Sequence, residues 1–264
     1  MSKANIIYIP HGGGPLPLLD EAGHVEMNSY LRGIKATIER PDAIVVISAH
    51  WEEDIISITA ADKPSLLFDY YGFPAESYEY QYPAPGDAAL AGRIQGMLQK
   101  AHIEARLDQE RGLDHGVFIP LLMIYPEADI PCLQVSLSSS LDAALHVQIG
   151  KALAGLKAEN VLIIGSGFSF HNMRALMSKK DDAPDEANLA FEAWLAQTCS
   201  DKSLSEDERE SRLVAWQEAP HARYCHPREE HLLPLQVCYG IAQGPATTVF
   251  QGHVSGFIAS AYQW

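Results

Sequence analysis

Residues 43–51 read AIVVISAHW. From Ala43 to Ser48 the run is apolar and rich in β-branched side chains, with no polar face. Such a segment belongs to a strand covered on both sides, the kind found at the centre of an α/β sheet. It runs directly into His50 and Trp51. Other stretches share this character. IIYI at 6–9 ends at Pro10 and His11, LQVSL spans 133–137, and VLII at 161–164 closes on Gly165 and Gly167. Residues 55–59 alternate as a half-covered strand does, and Val249 and residues 257–262 suggest closing strands. Between them lie helix-periodic segments. Met27, Leu31, Ile34 and Ile38 share one face of a helix expected over 25–39 and stopped by Pro41. Leu90, Ile94, Met97 and Leu98 mark a second helix, and Leu145, Ile149, Leu153 and Leu156 a third. This alternation predicts an α/β fold with a central sheet flanked by helices.

The chain has 264 residues, 47% of them hydrophobic and 20% charged, enough to bury a large core, and one domain over 1–264 is the simplest reading. A charge-dense stretch from 177 to 218 reads as a helical insert beside the sheet, with Pro184 suited to a first helical turn and Ser205 to Glu208 forming a capping box. Residues 68–86, rich in Tyr, Pro and Gly and lacking either period, read as a long ordered loop. Pro227 is positioned to open a helix containing His231, with Pro234 kinking or restarting it.

A formal net charge of -15 argues against nucleic acid or an anionic membrane as partner. The first ten residues lack the pattern of a secretory leader and no stretch is long and apolar enough to span a membrane, so a cytoplasmic location is expected. Cys132, Cys199, Cys225 and Cys238 show no CxxC spacing and read as buried thiols. GSGFSF at 165–170 is a fragment of a dinucleotide fingerprint lacking its third glycine, and no P-loop, HExxH or GxSxG is present.

Among 11 histidines, several follow expected strands. His11 follows the first, His50 the second, and His171 the glycine-rich turn after 161–164. Strand carboxyl ends form the ligand crevice of an open α/β sheet, so these three residues can converge. His115 in LDHGVFIPLL and His231 in HPREEHLLPL each adjoin an apolar helical run. Neutral imidazole is the commonest protein metal ligand, and three such ligands leave positions open for water or substrate. His24, His102, His146 and His253 lack a comparable setting and read as surface or ordinary packing residues. His221 and His226 read as exposed or supporting groups.

HGGGPLPLL at His11, ISAHWE around His50, YYGFPAESYEYQYPAPG, LDHGVFIPLLMIYPEADIP, GSGFSFHNMRAL and HPREEHLLPL together resemble, in order, the blocks of the class III extradiol ring-cleaving dioxygenases, in particular the DOPA 4,5-dioxygenase-type branch. The resemblance implies an α/β sandwich around a mixed sheet and a non-haem divalent metal, iron(II) for catalysis, although zinc can occupy such a site. It implies His11, His50 and His231 as metal ligands, His171 as acid and base or as a fourth ligand in a zinc form, and His115 as a substrate-orienting group. Many members place Gly before the first histidine, whereas this chain has Pro10 there and Gly12 to Gly14 after it, which alters the floor of the pocket and not the ligand.

Ring opening with O2 needs a metal able to take both catechol oxygens and dioxygen. The second catechol proton needs a base with a pKa near neutrality, which an imidazole supplies. Here three neutral imidazoles are the expected donor set, with Glu52, Glu229 and Glu230 as the carboxylates that could replace one of them. Tyr71, Phe73 and Tyr78 offer apolar faces for an aromatic ring, and Arg174 a partner for a substrate carboxylate. The expected partners are therefore a small aromatic diol and O2, with the oligomeric state open, a homo-oligomer included. The competing readings are a zinc hydrolase on the same histidines and a non-enzymatic binding protein of the same fold.

Overall fold

The computed structural model describes residues 6–179 and 183–264. In chain order the strands are β1 (Ile6–Pro10), β2 (Ala43–Glu53), β3 (Ile56–Thr59), β4 (Ala105–Asp108), β5 (Cys132–Ser138), β6 (Val161–Gly167), β7 (Thr247–Val254) and β8 (Phe257–Gln263). The α-helices are α1 (Val25–Ile34), α2 (Ala88–Lys100), α3 (His115–Ile124), α4 (Ala143–Ala152), α5 (Met173–Ser178), α6 (Glu186–Ser200), α7 (Glu206–Val214), α8 (Ala222–Cys225) and α9 (Leu233–Ala242).

The apolar runs occupy the middle of the sheet, where both faces are covered. The strand order is β4-β3-β5-β2-β6-β1-β8-β7. β5, β2, β6 and β1 are mutually parallel, while β3 joins β5 and β8 joins β1 antiparallel, so the sheet is mixed. Successive side chains alternate between two cores, as a pleated strand requires. Tyr8, Val45, Ile47, Val135 and Ile163 pack with α2, α4, α6 and α9 on one face. Ile7, Ile9, Ile44, Val46 and Ile164 pack with α1 and α3 on the other. Because the central strands run parallel, the carboxyl ends of β1, β2 and β6 open on one edge, and the site lies there.

Several elements depart from the sequence-based expectation. The first helix ends at Ile34 instead of 39: a single 3-10 turn follows, and the Thr37 hydroxyl donates to the Ile34 carbonyl at 2.8 Å. β2 continues through His50 to Glu53, with its register against β5 shifting between Ile47 and Glu52. Such an irregularity re-aims side chains near sites. β4, four residues on a sheet edge, has too little pattern to be seen in sequence. No helix contains His231. It sits in the turn before α9, whose first turn takes Pro234, where a missing N–H costs nothing. Pro184 stands outside α6, which is capped by Asp185 accepting from the Asn188 N–H. The Ser205–Glu208 capping box is present. Residues 180–182 of the expected insert lie outside the described residues. All four cysteines are buried free thiols, and among the described residues no helix is long and apolar enough to cross a membrane.

Candidate metal centre

His11, His50, His115, His171 and His231, spread over most of the chain, meet at this edge. His11 leaves β1 with its N–H on the Gly167 carbonyl at 3.1 Å, which ties it to the end of β6. His50 stands in the irregular part of β2. His115 is the first residue of α3, and His171 follows β6 by four positions. The His231 carbonyl is held by the Phe168 N–H at 3.0 Å and the Tyr8 hydroxyl at 2.9 Å. The glycines of GSGFSF serve this approach. A Cβ at Gly167 would lie 2.1 Å from the His231 carbonyl oxygen, and one at Gly165 would lie 2.7 Å from that of Pro234. Those glycines admit the turn before α9; the fragment resembling a dinucleotide motif has a packing origin.

The rings of His11, His50 and His231 are mutually 4.8 to 5.1 Å apart, centroid to centroid. Their ligand-capable nitrogens all lie within 4.8 Å of one another, and His11 and His50 face Nε2 to Nε2 at 3.0 Å. Two nitrogens bound ~2.1 Å from one ion at right angles stand about 3.0 Å apart, so this spacing suits a shared metal. Tautomers agree. The Ser166 hydroxyl donates its only proton to the Gly116 carbonyl. Its oxygen must therefore accept from His11 Nδ1–H at 2.9 Å, which leaves His11 Nε2 as a bare donor atom. Glu230 Oε1 accepts from His231 Nδ1 at 2.9 Å and does the same for that ring. Burial, reinforced by the neighbouring imidazoles, holds His11, His50 and His231 well below the ordinary histidine pKa, as neutral ligands should be.

Two carboxylates stand behind the neutral imidazoles. Glu230 Oε1 also lies 3.0 Å from His171 Nδ1, whose ring stacks on His231 at 3.4 Å. Asp69 Oδ1 takes His115 Nδ1 at 2.7 Å, and its Oδ2 is 3.8 Å from His50 Nδ1. Burial opposes ionisation of both carboxyls, yet the histidines beside them hold both pKa values below the ordinary range. Three neutral nitrogens backed by two negative charges match a divalent cation.

The sequence reading missed the groups that support these rings. Asp114, fully buried and with its pKa raised by that burial, accepts from the hydroxyl of Ser48, from Gln134 Nε2 and, at 3.3 Å, from Arg111 Nη2. Arg111 also donates to the His50 carbonyl at 3.1 Å and lies 4.7 Å from the centre of the Trp51 ring. A Cβ on Gly116 would meet Ser48 Oγ at 2.6 Å and His50 Cδ2 at 3.2 Å. The block Asp114-His115-Gly116 is thus a packing requirement as well as a source of an imidazole. Ser166 and Asp69 left no sequence signal, because their partners are 155 and 46 residues away.

The other candidates fall into place individually. Glu52 is engaged by Arg228 through two contacts of 2.5 Å, and Glu229 by Arg223 at 2.5 Å. Phe73 packs edge-on against Tyr70 at 5.6 Å, and the Tyr78 ring is 5.4 Å from Tyr70. Tyr71 is 91% exposed; its neighbour Tyr70 borders the histidines, with its ring 5.8 Å from His115. Arg174 is exposed on α5. Three histidines outside the cluster are buried supports, among them His146, which accepts the Ser138 N–H at 3.1 Å. His24 accepts the Gly13 N–H at 3.2 Å and so fixes the glycine run after His11. His226, pushed down to about 3 by burial, donates Nε2–H to the Ser169 carbonyl at 2.7 Å.

A histidine cluster of this kind, at the parallel-strand edge of a mixed α/β sheet, defines a metal-dependent class. The comparisons name it. Residues 6–258 match the family described as the catalytic LigB subunit of aromatic ring-opening dioxygenase. The chain is 39% identical over 238 residues to a 4,5-DOPA dioxygenase extradiol of Beta vulgaris, covering 89% of this chain and 85% of the relative. It is 34% identical to the protein of that description from Escherichia coli, covering 96% and 91%, and 38% identical to a dioxygenase, tasH, of Hapsidospora irregularis, covering 92% and 79%. The crystal structure of an uncharacterized protein from Escherichia coli K12 superposes with a TM-score of 0.79 at 30% identity, covering 98% and 99% of the two chains. The chain belongs to the LigB family and is an aromatic ring-opening dioxygenase.

Proposed function

We propose that the protein is a non-haem iron(II) extradiol dioxygenase that opens a catechol ring to a muconic semialdehyde-type product. His11, His50 and His231 would hold the metal, with His171 available as a fourth ligand in a zinc form. The observation that carries this reading is the cluster of three nitrogen donors within 4.8 Å, two of them freed for a metal by hydrogen bonds to Nδ1. Bound iron(II) would bring the two catechol oxygens and O2 together and supply the electron transfer between them.

The remaining chemistry falls to the chain. His171, its Nδ1 on Glu230, keeps Nε2 to accept the second catechol proton and later to return one. His115, fixed on Asp69, is suited to hydrogen-bond a substrate oxygen as negative charge develops there. Tyr70, Phe73 and Tyr78 form an aromatic wall at the loop, and the exposed Tyr71 and Arg174 would meet the part of the substrate outside the ring.

The test is anaerobic loading with iron(II), then exposure to O2 with a panel of catechols, following oxygen uptake and a yellow product. Stoichiometric uptake that requires iron and is absent with zinc supports the proposal. Silence across the panel with iron bound would refute it and favour hydrolysis at the same centre.

A further inference from the structure

We infer that Asp69 is a positioning residue for His115, and that through it the aromatic loop 68–86 governs the orientation of that ring; the role of the ring itself rests on the function proposed above. The N-terminus of α3 shows why a distant carboxylate is needed. Asp114 occupies the cap position but makes no side-chain cap bond, its oxygens being taken by Ser48, Gln134 and Arg111. A cap side chain reaches only the second or third N–H of a helix, and the first, that of His115, goes to Asp69 Oδ1 at 3.0 Å. The same oxygen takes Nδ1 of the His115 ring at 2.7 Å. One carboxylate oxygen thus grips both the backbone and the side chain of a single residue.

This grip sets chemistry as well as place. A carboxylate only accepts, so Nδ1 must carry the proton and Nε2 is left as the nitrogen available to a ligand. That ring stands 3.9 Å from His50 and 5.5 Å from His11. Asp69 is well seated for the task. Its backbone is exposed, but its side chain is only 19% exposed. Phe68 and Tyr70 on either side of it pack on Phe118 at 5.5 Å and on His115 at 5.8 Å, and the Leu67 N–H bonds the Leu113 carbonyl at 2.8 Å. The start of the loop and the start of α3 therefore form one packed unit, and a displacement of the loop is transmitted to His115.

The experiment uses the full-length protein loaded with zinc and labelled with 15N-histidine, the His115 ring nitrogens being assigned by comparison with His115→Gln. Wild type should show the Nδ1–H tautomer. Asp69→Asn, which keeps an acceptor oxygen and loses the charge, should retain it. Asp69→Ala should convert His115 to a mixture of tautomers, with zinc content unchanged, and in the iron-loaded enzyme should lower kcat by about ten- to hundredfold. Asp69→Asn should recover most of that loss. Unaltered His115 resonances in Asp69→Ala would overturn the inference, as would loss of zinc with those resonances unaltered, since Asp69 would then act on His50. Were alanine to unfold the loop, a mixed His115 tautomer in the near-isosteric Asp69→Asn would overturn it equally. The resonances are read whether or not a catechol is cleaved, so failure of the proposed reaction and failure of this inference are told apart.

Discussion

Replacing Ser166 by alanine should weaken metal binding without unfolding the protein. The Ser166 hydroxyl lies 2.9 Å from His11 Nδ1, both residues are at most 1% exposed, and its proton is committed to the Gly116 carbonyl. Alanine strands both partners. A buried group left without its hydrogen bond costs about 1–3 kcal/mol. The imidazole can escape its share by moving the proton to Nε2, but that places an N–H where the ion must bind. Removing a supporting bond of this kind lowers metal affinity about 10- to 100-fold, equivalent to about 1.4 to 2.7 kcal/mol. Competition for zinc against a chromophoric chelator measures the change directly, with circular dichroism to establish that the fold survives. Zinc affinity within about threefold of wild type, in a folded variant, would refute the tautomer argument for His11.

Two further substitutions test the frame around the centre. Gly116→Ala should press Ser48 and His50, whose atoms lie 2.6 and 3.2 Å from the new Cβ, and overpacking of this kind costs roughly 1–3 kcal/mol; thermal denaturation should show Tm lower by about 3–10 °C, with reduced zinc affinity, and an unchanged Tm would contradict the close packing. Glu192, 1% exposed with Oε2 on the Ser260 hydroxyl at 2.6 Å, has its pKa pushed by burial from the ordinary 4.5 to about 7. A raised folded-state value means that its contribution is fully present below the unfolded pKa and is lost as pH rises through about 7. The stability advantage of Glu192→Gln over wild type should therefore grow by roughly 2–3 kcal/mol between about pH 5 and pH 8 in urea titrations, and a difference independent of pH would place a charged Glu192 in the fold.

The α8 segment, just after the charge-dense stretch, supports the His171 turn from outside. The His171 N–H bonds the Cys225 carbonyl at 3.0 Å, Asn172 Nδ2 bonds the Tyr224 carbonyl at 2.7 Å, and His226 holds the Ser169 carbonyl. Asn188 on α6 exchanges two hydrogen bonds with Ile258 on β8. The α8 segment thereby braces the turn that carries His171, a role its composition does not advertise.

Burial along one strand or one helix face is written locally, so the apolar runs at β1, β2, β5 and β6 and the amphipathic α1, α2 and α4 were legible from residue order, as was the capping box at Ser205. The histidines were legible too, because strand ends and helix starts tell where a side chain can reach an open edge. What residue order could not carry is partnership across the fold. That Ser166 and not a carboxylate fixes His11, that Asp69 reaches His115, that Glu230 serves two rings while Glu52 is drawn away to Arg228, and that Tyr70 instead of Tyr71 borders the site all depend on which chain segments the sheet order brings together. Residue order alone carried the central strands, the apolar cover on their two faces and the set of imidazoles, because each is a periodic or positional property of neighbouring residues. The tertiary structure alone decided tautomer, charge balance and orientation, because those are set by hydrogen bonds between residues far apart in the chain.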